Sequence, residues 1–509
     1  MKKEKRRLDL PVIGAQQPNS LPNLPGGARV GVITLGCDKN TVDSERIMAR
    51  LAGSGANVST NIDDADVIVI NTCGFIDRAK EESIEAMLDA VRLKQQGRVK
   101  AVVAMGCLVQ RYKQDLVEEI PEIDAFLGLT EAEQLVPTLQ EKGMLEAPSG
   151  SLMELPMRLL STDTPHSSYL KISEGCDHTC AFCAIPLMRG KHRSAPMDRL
   201  VKEAQELSAR GVVELNIVSQ DTTWYGRDLV RGIEAASGDN FIGHFPGSED
   251  GSRARTRTRE NAGENNVHVS VTAHVTGRTG LLTNLLEGLL AETDIPWLRL
   301  FYMYPSGIQR DLVELMAREP RLLPYLDMPI QHGSDRMLKL MRRPERQRTI
   351  RERVSWLREA IPDLSLRTTL IVGFPGETDE DFEQMIELLE EIRFDYIGAF
   401  PYSVEEGTLA AEMPDQVNED VARERLERLF DVQRGISLER NEGRVGSTQR
   451  VLIDKVDDVA VGRTRGQALE VDGVVTIEDA QGHQSGDFVD VRITEAMDQD
   501  LAGVIIQGK

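Results

Sequence analysis

Three short apolar runs rich in Val and Ile, Val30–Leu35, Ala65–Asn71 and Val99–Met105, are each followed two residues later by a cysteine: Cys37, Cys73 and Cys107. The stretches between them, Asp43–Leu51 and Asp77–Leu93, carry acids near their starts and bases later, the polarity a helix dipole prefers. Apolar strands alternating with helices predict a doubly wound α/β domain, a parallel sheet covered on both faces. The cysteines lie 36 and 34 residues apart, about one strand–helix unit. In such a sheet the C-terminal strand ends share one edge, where ligands bind, so three thiols distant in sequence are expected to converge. Single cysteines are often simply buried. Three at matching positions, two of them preceded by Gly, point instead to a ligand set.

The other three cysteines lie together in Ser173-Glu-Gly-Cys176-Asp-His-Thr-Cys180-Ala-Phe-Cys183, and six in 509 residues are too few for a disulfide scaffold. A structural zinc site prefers four ligands and pairs such as C-x2-C. Bacterial ferredoxin spacing is C-x2-C-x2-C with a fourth Cys before Pro. The C-x3-C-x2-C spacing fits neither. It suits three corners of a [4Fe–4S] cube, whose fourth iron is left for the amino and carboxylate groups of S-adenosylmethionine. An electron passed into the sulfonium then releases a 5′-deoxyadenosyl radical, making Cys176, Cys180 and Cys183 the catalytic, metal-binding core. Cys37, Cys73 and Cys107 again make three ligands without a fourth, so a second, auxiliary [4Fe–4S] cluster is expected. An open iron there is a place to hold sulfur for insertion into a C–H bond, provided the two sets lie close together.

The length suggests about three or four domains. Residues 1–27 read as a disordered tail and not a secretory signal, because no apolar stretch follows the basic Met1–Arg7. No run approaches the roughly 18–20 apolar residues of a spanning helix, and a cytoplasmic location is expected. Residues 28–145 form the first domain and 146–165 a linker. In residues 166–441 the candidate strands are Tyr169–Ile172, Val212–Val218, Trp297–Tyr304, Leu326–Ile330, Leu366–Val372 and Tyr396–Tyr402. Six strands separated by helices suit a partial (β/α)6 barrel with its chemistry at the C-terminal strand ends. Residues 232–280, rich in Gly, Ser, Asn and Thr and containing Arg253–Arg259, read as a low-complexity surface insertion, with His268 and His274 as surface histidines. After a charged helix, Val417–Asn441, residues 442–509 predict a small antiparallel β-barrel from the runs Val451–Ile453, Gly462–Ala468, Val474–Ile477 and Asp487–Ile493.

Thr34-Leu-Gly-Cys37-Asp-Lys-Asn40, Asp43-Ser-Glu45, Asn71-Thr-Cys73-Gly-Phe-Ile76 and Gly106-Cys107-Leu108 resemble the N-terminal domain of the radical S-adenosylmethionine methylthiotransferases. Ser173–Cys183 with Ile185-Pro186 and Gly190-Lys-His-Arg-Ser194 resembles their radical-SAM domain. The likeness extends through Gln220–Gly226, Tyr304–Ser306, Pro329–Gly333 and Gly373–Glu377, and the tail resembles a TRAM domain. It covers about 28–230 and 281–509. The resemblance implies that one S-adenosylmethionine methylates sulfur at the auxiliary cluster and a second yields the radical that abstracts hydrogen. It also implies a choice of substrate: an adenosine of transfer RNA, or the β-carbon of an aspartate in the twelfth small-subunit ribosomal protein. Gly446–Lys509 holds twelve acids and six bases, and Phe488 is its only aromatic residue. A barrel gripping RNA would present Lys, Arg and aromatics. With a net charge of −22 over the whole chain, a basic ribosomal protein is the better electrostatic match. Nucleic acid is therefore not the expected substrate, and a flavodoxin or ferredoxin type electron donor is expected.

Around these motifs, Gly373 and Gly376 permit close backbone approach to S-adenosylmethionine or simply make a tight turn. Phe182 sits where the family packs an aromatic near the adenine, or caps the loop. Arg189, Lys191 and Arg193 steady cluster or carboxylate charge, or form ordinary ion pairs. Gln331 and His332 follow a barrel strand, where substrate contact and a structural role are equally open. A reading of another class also stands: a non-catalytic iron–sulfur carrier or zinc-stabilised module, which would bind metal without forming 5′-deoxyadenosine.

Overall fold

The computed structural model describes residues 27–145, 156–161, 164–230, 280–478 and 480–506. The basic tail, most of 146–165, and the insertion with Arg253–Arg259, His268 and His274 lie outside the described residues. The first sheet is wholly parallel, in the order β2-β1-β3-β4-β5, from β1 (Arg29–Thr34), β2 (Asn57–Ser59), β3 (Val67–Thr72), β4 (Ala101–Gly106) and β5 (Ala125–Gly128). Every residue of β3 and β4 is buried, as unbroken apolar runs require of strands covered on both sides. One face packs Met48 and Leu51 of helix α1 (Asp38–Gly53) on Val32 and Val69. The other packs Met87 and Ala90 of α2 (Asp77–Gln95) on Ile68 and Ile70. Fully burying a side chain such as Leu51 or Met87 stabilises the layer by about 2–3 kcal/mol. Helix α1 begins at Asp38, earlier than its charge pattern suggested, because Cys37 is already its N-cap and Asp38 supplies the first-turn acid.

The central sheet is also all parallel, in the order β13-β12-β11-β10-β9-β6 and open between its outer strands, a partial barrel. Its strands are β6 (Ser167–Lys171), β9 (Glu214–Val218), β10 (Trp297–Leu300), β11 (Leu322–Asp327), β12 (Ser365–Val372) and β13 (Tyr396–Pro401). The fourth strand lies earlier than the expected Leu326–Ile330. Leu322 and Leu323 are buried strand residues, and Asp327 ends the run by accepting from the Tyr302 N–H and from Arg367. A two-stranded ribbon, β7 (Ser173–Glu174) with β8 (Arg193–Ser194), leaves the sheet just beyond β6.

The C-terminal strands β14 (Thr448–Val456), β15 (Ala460–Thr464), β16 (Val475–Glu478), β17 (Phe488–Ala496) and β18 (Leu501–Ile505) close into a barrel. One ladder, β16 with β18, is parallel, the single departure from the wholly antiparallel barrel expected. This barrel is tied to the central sheet by buried charge. The Arg463 guanidinium donates to Glu214 at 2.6 Å and to Asp454, and Arg299 donates to the same Glu214 at 3.0 Å. The N-terminal layer is tied to it similarly: Arg158, completely buried, donates to Glu45 at 3.0 Å and Glu203 at 2.9 Å.

Candidate metal centre

The three N-terminal cysteines meet at the C-terminal edge of the first sheet because glycines let the backbone pass there. Gly36 has φ +94°, and a Cβ on it would lie 2.6 Å from the Cys73 Cβ and 2.7 Å from its Sγ. Gly106, at φ +105°, similarly abuts the Thr72 carbonyl. Cys107 opens helix α3 (Cys107–Glu119), and Cys73 is pinned by Ser83, whose Oγ accepts from its N–H and donates to its carbonyl. Burial pushes the Cys107 thiol up to about 12 and raises Cys73 as well; in both, the Cys37 sulfur adds to the effect and the Arg189 charge opposes it. The three sulfurs thus feel one another, as convergence at one edge requires.

The central cysteines sit on the loop carried by the β7–β8 ribbon. Gly175, at φ +74°, has the Lys191 carbonyl oxygen 2.2 Å from where its Cβ would be, so any other residue would unseat the loop. The Cys176 N–H donates to the Gly190 carbonyl at 3.0 Å, and the Ala181 N–H to the Met341 carbonyl at 3.0 Å. Burial pushes Cys176 and Cys183 up to about 12, with the neighbouring sulfurs of the set adding to it. Thiols held protonated in this way give up their protons when iron binds.

The decisive geometry is the meeting of the two sets. Cys107 packs against Ala184 and Met188, and Ala184 directly follows Cys183. The short helix Ile185–Arg189 ends in Arg189, whose buried guanidinium donates to Asn40 Oδ1 at 2.6 Å, Asp43 at 3.1 Å and Glu174 at 2.8 Å. Burial alone would lower its pKa, but Asp43, Cys107 and Glu174 hold it well above the ordinary value. Lys171 joins the same carboxylates, Asp43 and Glu174.

Several residues around the central loop were not legible beforehand. His178, between two of the cysteines, bonds Asp221 through Nε2 at 2.7 Å and stacks on Tyr304 with centroids 4.3 Å apart. The buried Arg343 donates to Cys180 Sγ at 3.7 Å, lies over the Tyr304 ring at 3.9 Å, and pairs with Glu345 at 2.6 Å. The signal available was Arg342-Arg343-Pro344-Glu345 beside an apolar run, which does not name a partner. Phe182 is half-buried in a cluster with Ala181, Phe374 and Met341. Gly373, at φ +72°, faces Ala422, whose Cβ lies 2.6 Å from a Cβ placed there, a packing need independent of any ligand; beside Gly376 the nearest atom is 4.0 Å away. Gln331 bridges to Leu370 with φ +72°, and buried His332 bonds Glu377 at 3.3 Å, both within the fabric of the sheet. Lys191 and Arg193 are exposed, unlike Arg189.

Among the described residues no three His, Cys, Asp or Glu side chains are gathered so as to hold a single metal ion. Each trio does offer what a cubane cluster takes at three irons: three thiols, two of them buried and the third, Cys37 or Cys183, partly so, with one guanidinium nearby, Arg189 or Arg343. All six cysteines of the chain are used, so neither set has a fourth.

Residues 29–128 match the family described as uncharacterized protein family UPF0004, 170–389 the radical SAM superfamily and 445–506 the TRAM domain. A ribosomal protein uS12 methylthiotransferase RimO of Geotalea uraniireducens is 39% identical over 488 residues, covering 94% of this chain and 98% of that one. The protein of the same name from Aquifex aeolicus is 40% identical over 479 residues, covering 93% and 96%. Among solved structures, the radical S-adenosylmethionine methyltransferase TsrM from Kitasatospora setae, with cobalamin and a [4Fe–4S] cluster bound, is 12% identical with a TM-score of 0.48, covering 83% of this chain and 80% of that one.

Proposed function

The chain belongs to the family of the uS12 methylthiotransferases RimO, radical S-adenosylmethionine enzymes, and from that premise we propose how its residues serve the reaction. The enzyme replaces one hydrogen on the β-carbon of an aspartate in the ribosomal protein uS12 by a methylthio group. The observation that carries this reading is the packing of Cys107 against Ala184 and Met188, beside Cys183. A radical made at one set can be met by sulfur held at the other only if the two adjoin. Cys176, Cys180 and Cys183 would hold the [4Fe–4S] cluster that binds S-adenosylmethionine, and Cys37, Cys73 and Cys107 the auxiliary one. When bound, these groups supply the electron that cleaves S-adenosylmethionine and a site for the sulfur to be transferred.

The protein's own part is placement and charge. Gly175 and the Cys176 N–H fix the central loop on the ribbon, and Arg343 sets a positive charge against Cys180. Such neighbours tune a cluster as much as its ligands do. His178, fixed by Asp221 and stacked on Tyr304, screens the loop from one side. Phe182 and the turn Gly373–Gly376 would border S-adenosylmethionine.

The C-terminal barrel favours a protein substrate over RNA. Its one aromatic, Phe488, is half-buried and already engaged, with the Trp297 ring 5.0 Å from it in an edge contact and the Arg450 guanidinium over it at 5.5 Å, so it is poorly placed to stack a base. Arg463 is spent on Glu214 and Asp454. What remains is mostly acidic, suited to a basic ribosomal protein. The electron donor is a flavodoxin or ferredoxin type carrier, small and acidic. The exposed Lys339 and Arg342 flank Met341, whose carbonyl holds the cluster loop, and line a basic hollow beside Ala181. No described helix is long and apolar enough to cross a membrane, in keeping with work on ribosomal protein in the cytoplasm.

A deletion strain tests the substrate. Mass spectrometry of its uS12 and of its bulk transfer RNA is expected to show the aspartate unmodified and the methylthioadenosine intact. Loss of the methylthioadenosine with the aspartate still modified would refute the reading.

A further inference from the structure

Arg189 belongs to the segment that follows the central cysteines, yet two of its three partners lie on the other domain. Its Nη2 donates to Asn40 Oδ1 and its Nη1 to Asp43, both on the first turns of helix α1, which begins directly after Cys37. Asn40 is itself fully buried and spans the edge where the N-terminal cysteines meet. Its Nδ2 donates to the Leu35 carbonyl at 2.7 Å and the Thr72 carbonyl at 3.2 Å, the residues just before Gly36 and Cys73. Its Oδ1 also lies 3.7 Å from Cys107 Sγ. One side chain therefore touches the strand ends that present all three N-terminal cysteines, and Arg189 holds that side chain from the opposite domain. The third partner, Glu174, lies on the ribbon that carries Cys176. The buried guanidinium thus ties the two cysteine sets together through one hydrogen bond to each of Asn40, Asp43 and Glu174, and its charge reaches both Cys107 and Cys37.

Ordinary interdomain pairing does not require this placement. Arg158 and Arg46 already join the domains through Glu45 and Glu203, away from the cysteines. The Arg189 contacts, in contrast, reach Asn40, whose Oδ1 lies 3.7 Å from Cys107 Sγ, and Arg189 directly follows Met188, which packs with Ala184 on Cys107. Lys171 shares the carboxylates of Asp43 and Glu174, and its ammonium donates to those two and not to Asn40.

We propose that Arg189 is a positioning residue for methylthio transfer: through Asn40 it fixes the separation of the two clusters, and its fixed charge raises the reduction potential of the auxiliary cluster. The first part follows from geometry, since a misplacement of about 1 Å between reacting groups costs on the order of a hundredfold. The second follows from Coulomb's law in a buried site, where one nearby cation favours the more negative, reduced form. The proposal rests on the two-cluster reading above.

The test uses full-length Arg189→Met and Arg189→Lys, reconstituted anaerobically beside the unaltered protein. Iron content comes first. If the unaltered protein takes up only one cluster, it is the two-cluster reading that fails, not the assignment to Arg189. With both clusters present, redox titration followed by electron paramagnetic resonance reads each potential separately. Arg189→Met is expected to move the auxiliary potential to more negative values and leave the central one in place. The ratio of 5′-deoxyadenosine formed to uS12 modified is expected to rise on the order of a hundredfold. Arg189→Lys keeps the charge but not the fork of donors, so it should restore the potential and not the coupling. An Arg189→Met protein with unshifted auxiliary potential and normal coupling overturns the proposal. If Arg189→Met does not fold, Arg189→Lys decides alone: normal coupling there removes the positioning role.

Discussion

Gly36→Ala should selectively empty the auxiliary site. At φ +94° an alanine adopts a left-handed backbone at a cost of about 1–2 kcal/mol. That is tolerable alone. The larger problem is steric: the new Cβ would lie 2.6 Å from the Cys73 Cβ, whereas ordinary contact begins at 3.4 Å. Cys73 would have to retreat by about 0.8 Å, several times the roughly 0.2 Å within which metal–ligand distances hold. Gly55 is the matched control. Its φ is +91° with nothing within 4 Å of a Cβ, so Gly55→Ala carries the same backbone strain without the overlap. Iron and sulfide analysis after anaerobic reconstitution is expected to find about eight irons per chain for the unaltered protein and Gly55→Ala, and about four for Gly36→Ala. The depleted protein should still form 5′-deoxyadenosine and modify no uS12. A Gly36→Ala protein with full iron and normal transfer would refute the reasoning.

Other consequences are equally open to measurement. Burial lifts the Asp472 carboxyl from 3.8 to about 6, against the opposing pull of Arg367 and of the Tyr325 hydroxyl that donates to it at 2.7 Å. A carboxyl raised on folding stabilises the protein fully below its unfolded value and loses that contribution as pH climbs through about 6, here about 3 kcal/mol. Asp472→Asn should therefore flatten the dependence of Tm on pH between about 4 and 6; an unchanged slope contradicts it. Arg463→Met leaves Glu214 and Asp454 short of a buried partner and should cost about 3–5 kcal/mol, read as earlier unfolding and easier proteolysis of the C-terminal barrel. Unchanged unfolding would show that the pair is dispensable. Reversing charge at Lys339 and Arg342 to Glu should slow reduction by flavodoxin at low salt by about tenfold or more, with dithionite reduction unaltered; equal slowing by both reductants would place the defect in the cluster.

Much of the site was readable because cysteine position and strand periodicity carry the same information twice. Cys37, Cys73 and Cys107 follow apolar runs one strand–helix unit apart, and a parallel sheet leaves such positions on one edge. The strands β2 and β5 were too short or too mixed to register: Asn57–Ser59 has no buried residue and Ala125–Gly128 is four residues long. Leu326–Ile330 misled because Met328 and Ile330 are apolar and packed in the central core yet sit past the strand end, just before the turn where Gln331 has φ +72°. Partners of charged residues were the least legible. Nothing local distinguishes Arg189, held by Asn40 and Asp43 about 150 positions earlier, from the exposed Lys191 and Arg193 beside it. Arg158 and Arg343 became meaningful only once Glu45 and Cys180 stood next to them.

The central claim is that adjoining cysteine sets let one chain make a radical and insert methylthio into uS12. It is tested most directly by incubating the reconstituted enzyme with reductant, S-adenosylmethionine and purified uS12, then sequencing the protein by tandem mass spectrometry. The account predicts a single aspartate with one hydrogen replaced by a methylthio group, and 5′-deoxyadenosine formed alongside it. Formation of 5′-deoxyadenosine with every uS12 aspartate unmodified, while a transfer RNA adenosine in the same mixture gains the group, would contradict it.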